Sequence, residues 1–287
     1  MIHASTIQLL RIHFSLFLLP VYLFAIGEVP DLNISDAVII FLILHLLVYP
    51  SSNGYNSYMD RDEDSVGGIL KPMQPTKQLY HVSLVMDGLA ILAAFTISLV
   101  FAACLLAYIL ASRAYSYRGI RLKKYPVAGY LTVITFQGAM VFFMTYHGSS
   151  QSKTLNIPML ALLASSLLIG GFYPLTQIYQ HQADLKDGVR TISYKLGYRG
   201  TFIFTAIIYV CAMIVLAQYF YMVNEQKKLF ILATCMLPVL VYFFSWAAKV
   251  WKDVRKADYL NTMRMNLIAS VCTNLAFFTL LIWKLFE

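Results

Sequence analysis

Long apolar runs separated by short polar breaks fill most of this chain. In order they cover residues 9–26, 37–58, 79–97, 99–112, 127–146, 156–178, 201–222, 229–248 and 265–285. Most approach the ~20 residues that a helix needs to cross a bilayer. The pattern predicts an all-α, polytopic membrane protein with nine transmembrane helices around a central pocket. The third and fourth runs are joined by almost no chain, so their boundary is the least defined.

Composition agrees with this reading. Of 287 residues, 59% are hydrophobic and 13% charged, against about 25% charged in soluble domains. Cys104, Cys211, Cys235 and Cys272 all lie inside apolar stretches and form no CxxC or Cys/His cluster. They read as small hydrophobes rather than as disulfides or metal ligands. Arg11 followed by the apolar run to Ile26, with Ala25-Ile26-Gly27 behind it, loosely resembles a signal peptide, but a first transmembrane helix fits the charges better.

The net charge is +8. With nine spans, all of the 22 Lys and Arg except Lys153, Lys227, Lys228 and Lys284 fall on the side of the N-terminus and the even-numbered loops. The positive-inside rule places that side in the cytoplasm. The basic excess is thus explained by topology, and no nucleic-acid partner is expected. Glu28, Asp31, Asp36, Glu225 and Glu287 lie on the other side, and Asp87 falls within the third span. The remaining acids sit on the basic face, mostly crowded into two loops.

Those two loops are related. Tyr49 to Asp60, YPSSNGYNSYMD, aligns without a gap with Tyr173 to Asp184, YPLTQIYQHQAD. Tyr49/Tyr173, Pro50/Pro174, Tyr55/Tyr179 and Asp60/Asp184 are identical, and Ser52/Thr176, Asn53/Gln177 and Asn56/Gln180 are similar. The match suggests one domain, 1–287, built of two related halves, roughly 1–125 and 126–287, that meet around one site.

Helical spacing puts Asn56, Asp60 and Asp64 on one face, extended into the membrane by Asn53, Tyr49 and His45. In the second copy Tyr173, Gln177, Gln180 and Asp184 form the stripe, with Asp187 three residues on. Polar groups at membrane depth face a cavity or each other, so both stripes should line a pocket. Carboxylates and amide oxygens without Cys, and with little His, favour Mg²⁺ over zinc. Lys71, Lys123, Lys124, Lys186 and Arg190 flank the acids, and metal and cations together suit a diphosphate. Asp62, Glu63, Asp253 and Asp258 read as solvated charges at helix ends. His45 suits a buried structural histidine as well as a substrate contact. Asp87, a deep carboxylate, is a functional candidate, with pairing to a neighbouring helix as the structural alternative.

At these residues the chain resembles the UbiA superfamily of intramembrane prenyltransferases. NSYMDRDED supplies Asn56, Asp60 and Asp64 of that family's N-D-x-x-D-x-x-x-D motif, with Ser57 in place of its first Asp. Lys71-Pro72-Met73-Gln74-Pro75 is similar to its R-P-x-x-P segment, and Tyr115 to Gly129, including Arg121, to its Y-S-x-x-x-x-R-L-K segment. QHQADLKDGVRT matches the second motif at Asp184, Gly188 and Arg190, with Gln180 in place of an Asp. The resemblance implies nine helices and Mg²⁺ held by Asn56, Asp60 and Asp184, with Gln180 and Asp187 as further ligands. Lys71, Arg121, Lys123, Lys124, Lys186 and Arg190 are the candidates around a prenyl diphosphate, and Asp64, one turn after Asp60, is the candidate base. The expected function is transfer of a prenyl group to an unknown small-molecule acceptor, with an aromatic one expected. A terpene cyclase on the same fold, a transporter and a catalytically silent homologue are the rivals.

Overall fold

A computed structural model describes residues 2–286 of the chain. α1 (Ala4–Leu10) leads through a 3₁₀ segment, Ile12–Phe17, into α2 (Leu19–Glu28). The unit Ala4–Phe17 is bent by 43° from α2. There follow α3 (Ile34–Asp60), α4 (Lys77–Ala94), α5 (Leu99–Ser116), α6 (Pro126–Ser149) and α7 (Met159–Lys186). α8 (Ile192–Met222), α9 (Gln226–Lys252) and α10 (Tyr259–Phe286) complete the chain. No β-strand occurs among the described residues.

Local chemistry sets several boundaries. The Asn33 side chain caps α3 by accepting from the Asp36 N–H at 3.1 Å, and Thr191 caps α8 through the Tyr194 N–H at 3.2 Å. Ser98 separates α4 from α5: its extended backbone breaks the helix and its hydroxyl accepts from the Phe101 N–H at 3.0 Å. These are the side-chain oxygens that satisfy the free donors of a first turn.

Seven helices are long and apolar enough to cross a membrane, or eight when the bent α1–α2 unit counts as one span. The expected nine is therefore not reached. α4 is the helix that falls short, because Lys77, Gln78, His81 and Asp87 dilute its apolar residues. Large apolar side chains on the spans, among them Ile207, Val210, Val241 and Phe244, are exposed. On a polytopic protein such a surface is the one that faces lipid.

Successive helices pack side by side, and α10 returns to pack on α2, closing the bundle. Phe24 of α2 stacks on Phe277 of α10 with centroids 4.9 Å apart and lies 5.2 Å from the Phe142 ring of α6. At the same end, Glu28 accepts from the Tyr219 hydroxyl at 2.6 Å and pairs with Lys228 at 3.2 Å. The acidic segments lie at the opposite end of the bundle.

Candidate active site

α3 delivers the first acids. Its last part, Tyr49–Asp60, is regular α-helix, so Asn56 and Asp60 share a face. Arg61 then turns left-handed (φ 54) and ends the helix, its N–H donating to the Ser57 carbonyl at 3.0 Å. The expected stripe therefore stops at Asp60, and Asp64 is exposed on the following loop. Ser57 is buried and its hydroxyl has no hydrogen-bond partner.

The second copy of the repeat is bent differently. α7 holds Pro174 within its length and passes through a 3₁₀ turn at Ile178–Gln180 before the short α-helical end His181–Lys186. Asp184 lies on that end, and Gly188 (φ 70) lets the chain fold back so that the Val189 N–H reaches the Asp184 carbonyl at 2.8 Å. Gln180 is half-buried on the 3₁₀ turn.

The α5–α6 loop joins the two copies. Arg121, buried and left-handed (φ 51), forms an ion pair with Asp187 and reaches Asp60 at 3.5 Å. Lys123 pairs with the other oxygen of Asp60. Arg118 lies 3.5 Å from Asp187 and donates from Nε to the Met59 carbonyl at 2.7 Å. Ser116 donates to Asn56 Oδ1 at 2.8 Å. One loop thus neutralises acids from both halves.

Electrostatics follow from this crowding. Burial, then the neighbouring Asp60 carboxylate, pushes Asp62 up to about 6, against the opposing pull of Lys123 and Arg11. Asp62 is half-buried rather than simply solvated, which corrects the expectation for it. Burial alone would lower Arg121, but Asp187 and Asp60 outweigh it and hold the guanidinium above its ordinary value.

Lys71, Lys124, Lys186 and Arg190 are exposed and are not drawn into the cluster. Arg11, which the sequence offered only as a topology signal, is brought in. It is buried, left-handed (φ 46), and donates to the Asn53 carbonyl at 3.3 Å and the Gly67 carbonyl at 3.4 Å. Arg11, Arg61 and Arg121 share a backbone conformation that is uncommon outside glycine and costs energy. All three stand at the acidic end. Tyr115, Ser116 and Arg118 lay inside a segment singled out for Arg121 and the lysines, so the signal for them was present.

Among the described residues, no three His, Cys, Asp or Glu side chains are placed to hold a metal together. Asp60 and Asp187 are instead taken up by Lys123 and Arg121. The donor set still suits a hard divalent cation: it is all oxygen, and Asp60 Oδ1 is buried without a hydrogen bond. Mg²⁺ commonly takes one or two carboxylates and leaves its other positions to phosphate and water.

Below the acids lies a cavity of about 240 Å³. Tyr49, Asn53 and Tyr173 line it, joined by Phe14, Tyr108 and Asn266, none of which the sequence reading nominated. The Tyr173 hydroxyl hydrogen-bonds that of Tyr115. His45 and Gln177 are buried but are not among the residues lining the cavity. His45 stacks on Phe41 at 4.6 Å and meets Tyr49 edge-on at 5.0 Å. Asp87 lies away from the cavity. It accepts from Ser51 at 2.5 Å and from Arg113 Nε at 3.0 Å, and Arg113 in turn lies 4.1 Å over the Tyr55 ring.

Comparison with known proteins agrees with this architecture. A UbiA homologue from Archaeoglobus fulgidus, solved with DMAPP and Mg²⁺, superposes with a TM-score of 0.73 at 19% identity, over 97% of this chain and 99% of that one. The same figures hold for that homologue bound to GPP and Mg²⁺. An apo UbiA homologue from Aeropyrum pernix K1 gives 0.69 at 15% identity, over 94% and 98%. No curated protein sequence matches the chain. The model of the UbiA prenyltransferase family matches residues 14–268, and the chain belongs to that family.

Proposed function

We propose that this chain is a membrane prenyltransferase that moves a prenyl group from a prenyl diphosphate to a small-molecule acceptor, with Mg²⁺. The observation that carries the reading is vertical. Asn53 and Tyr173 line an apolar cavity, and the same two helices carry Asp60 and Asp184 beyond its mouth. A diphosphate at the acidic end and a hydrocarbon in the cavity match that arrangement. The A. fulgidus homologue supports it by binding DMAPP or GPP with Mg²⁺.

Asn56, Asp60 and Asp184 would hold the metal, with Asp187 and Gln180 beside them. Mg²⁺ there would supply positive charge to the bridging oxygen as it takes up charge. Arg121 and Lys123, released from Asp187 and Asp60, stabilise the departing diphosphate where its charge develops. The C1–O bond breaks with its electron pair going to the diphosphate. The faces of Tyr49, Tyr108 and Tyr173 stabilise the allylic cation, an acceptor carbon or oxygen attacks C1, and the acceptor gives up a proton. Of the loop acids, Asp62 faces the cluster and Asp64 does not, so the base is assigned to Asp62 in preference. The acidic end is assigned to the cytoplasmic side on the charge asymmetry of the loops.

Purified protein in detergent, incubated with labelled geranyl or farnesyl diphosphate, Mg²⁺ and a membrane extract, should yield a prenylated acceptor. A cyclised hydrocarbon formed without extract would instead identify a terpene cyclase, and no consumption of either donor would overturn the enzyme reading.

A further inference from the structure

The second copy of the repeat ends on a helix too short to hold its own shape. His181–Lys186 has six residues, and an isolated helix of fewer than about 12 is marginal in water. The 3₁₀ turn Ile178–Gln180 also cuts it off from the regular helix that precedes it. The first copy differs, because Tyr49–Asp60 runs as one regular helix. Asp184 therefore depends on contacts from outside its own helix to keep its place.

His181 supplies such a contact. It opens the short helix, one turn before Asp184, and it is buried. Its Nε2 is hydrogen-bonded to Ser193 Oγ of α8 at 2.8 Å. Ser193 Oγ lies 3.0 Å from Thr201 Oγ1, and the Thr201 hydroxyl donates to the Gly197 carbonyl at 2.8 Å. That direction leaves Ser193 to donate to Thr201 and to accept from the His181 ring. Gly197 (φ 70) is the kink within α8, so the hydrogen-bonded chain crosses the kink to the long part of that helix. The imidazole also lies 4.7 Å from the Tyr198 ring and meets Tyr194 edge-on at 5.7 Å. Its hydrogen bond and both ring contacts thus go to α8, and it is not among the residues lining the cavity. The repeat puts Ser57 at the equivalent place in the first copy, where the hydroxyl has no partner. The tie belongs to the second half alone.

We propose that His181 is a positioning residue for Mg²⁺ binding: through Ser193 it holds the end of α7 that presents Asp184 to the metal. This rests on the prenyltransferase reading and adds to it two residues, His181 and Ser193, that act through Asp184. Removing a group that orients a metal ligand typically weakens metal affinity by about tenfold or more.

The test uses His181→Phe, which keeps a ring against Tyr194 and Tyr198, and Ser193→Ala, which leaves the histidine in place. The Mg²⁺ concentration that half-saturates diphosphate release from geranyl diphosphate should rise by about tenfold in each. The double variant should be no worse than either single one, since both break the same hydrogen bond. Turnover at saturating Mg²⁺ should stay near the wild type, and Ser193→Thr, which keeps the hydroxyl, should restore the wild-type Mg²⁺ dependence. A merely structural role would lower the amount of folded protein without moving that dependence. Amide hydrogen exchange in chelator gives a second readout that needs no turnover: exchange over residues 181–189 should quicken in both single variants, while residues 49–60 stay as in the wild type. Wild-type Mg²⁺ half-saturation in both variants overturns the proposal. No release by the wild type at any Mg²⁺ concentration would instead count against the prenyltransferase reading. Exchange then decides on His181 alone, with faster exchange over 181–189 supporting its hold on that segment and wild-type exchange overturning it.

Discussion

Arg121 reaches the buried carboxylate of Asp60 at 3.5 Å from a left-handed backbone position, while its other contact is with Asp187. One side chain therefore spans acids from both copies of the repeat. Arg121→Ala should cut diphosphate release by about 10²-fold, the scale set by losing one preorganised charge-stabilising donor. Arg121→Lys should recover little of it, because an ammonium cannot address two carboxylates in a fork. Steady-state release assays on the two variants check this, and a fully active Arg121→Ala would remove the residue from the mechanism.

Asp87 and Arg113 form a buried pair between α4 and α5, with Ser51 of α3 closing it. Asp87→Ala strands the guanidinium and should cost about 3–5 kcal/mol of stability. Asp87→Ala combined with Arg113→Met should recover most of that loss, and diphosphate release per folded molecule should follow. Thermal unfolding of the single and double variants in one detergent gives the answer. A stable but inactive Asp87→Ala would restore a catalytic role to this carboxylate.

Gly138 sits at a close approach of α6 to α7. A Cβ there would lie 2.5 Å from Ser166 Cα and 2.8 Å from Ser166 N, so backbone would have to move. Ser166 Oγ also donates to the Ile134 carbonyl at 3.0 Å and accepts from the Ala139 N–H at 3.1 Å, supporting the π-helical segment Ile134–Met140. Gly138→Ala should destabilise by about 1–3 kcal/mol, as overpacking does. A thermal midpoint equal to the wild type would show that the two helices can separate without cost.

Asp62 gives the metal-free protein a pH dependence. Its carboxyl is held at about 6 by burial and by Asp60, with Lys123 and Arg11 opposing and Asp187 adding to the effect. The folded state thus binds a proton that the unfolded chain has already lost, and stability falls as pH rises from about 4 through about 6. Asp62→Asn should flatten that fall. Denaturation midpoints across pH 4–8 in chelator test it, and an unchanged profile in the variant would assign the dependence elsewhere.

Much of this was legible in the residues, and the failures have physical causes. Apolar run length gave the helices, but α4 shows that a run interrupted by Lys77, Gln78, His81 and Asp87 can be a helix of the bundle without the apolarity of a span. The repeat drew attention to Asn56, Asp60 and Asp184. It could not show that Arg61 ends α3, which removes Asp64 from the stripe, or that a 3₁₀ turn displaces Gln180 in the second copy. Linear proximity to the acids nominated Lys71, Lys124, Lys186 and Arg190, all exposed, and passed over Arg11, which reaches the site from the far N-terminal end of the chain. The lining of the cavity from α10, Asn266 above all, depends on the closure of the bundle and leaves no local trace.

The most direct measurement is release of inorganic diphosphate from geranyl, farnesyl and geranylgeranyl diphosphates by the purified protein, with Mg²⁺, with chelator, and in Asp60→Ala and Asp184→Ala. The account predicts release that requires Mg²⁺ and falls by about 10²-fold or more in each variant. Release that persists in chelator or in both variants, or no release from any donor in the presence of membrane extract, would contradict it.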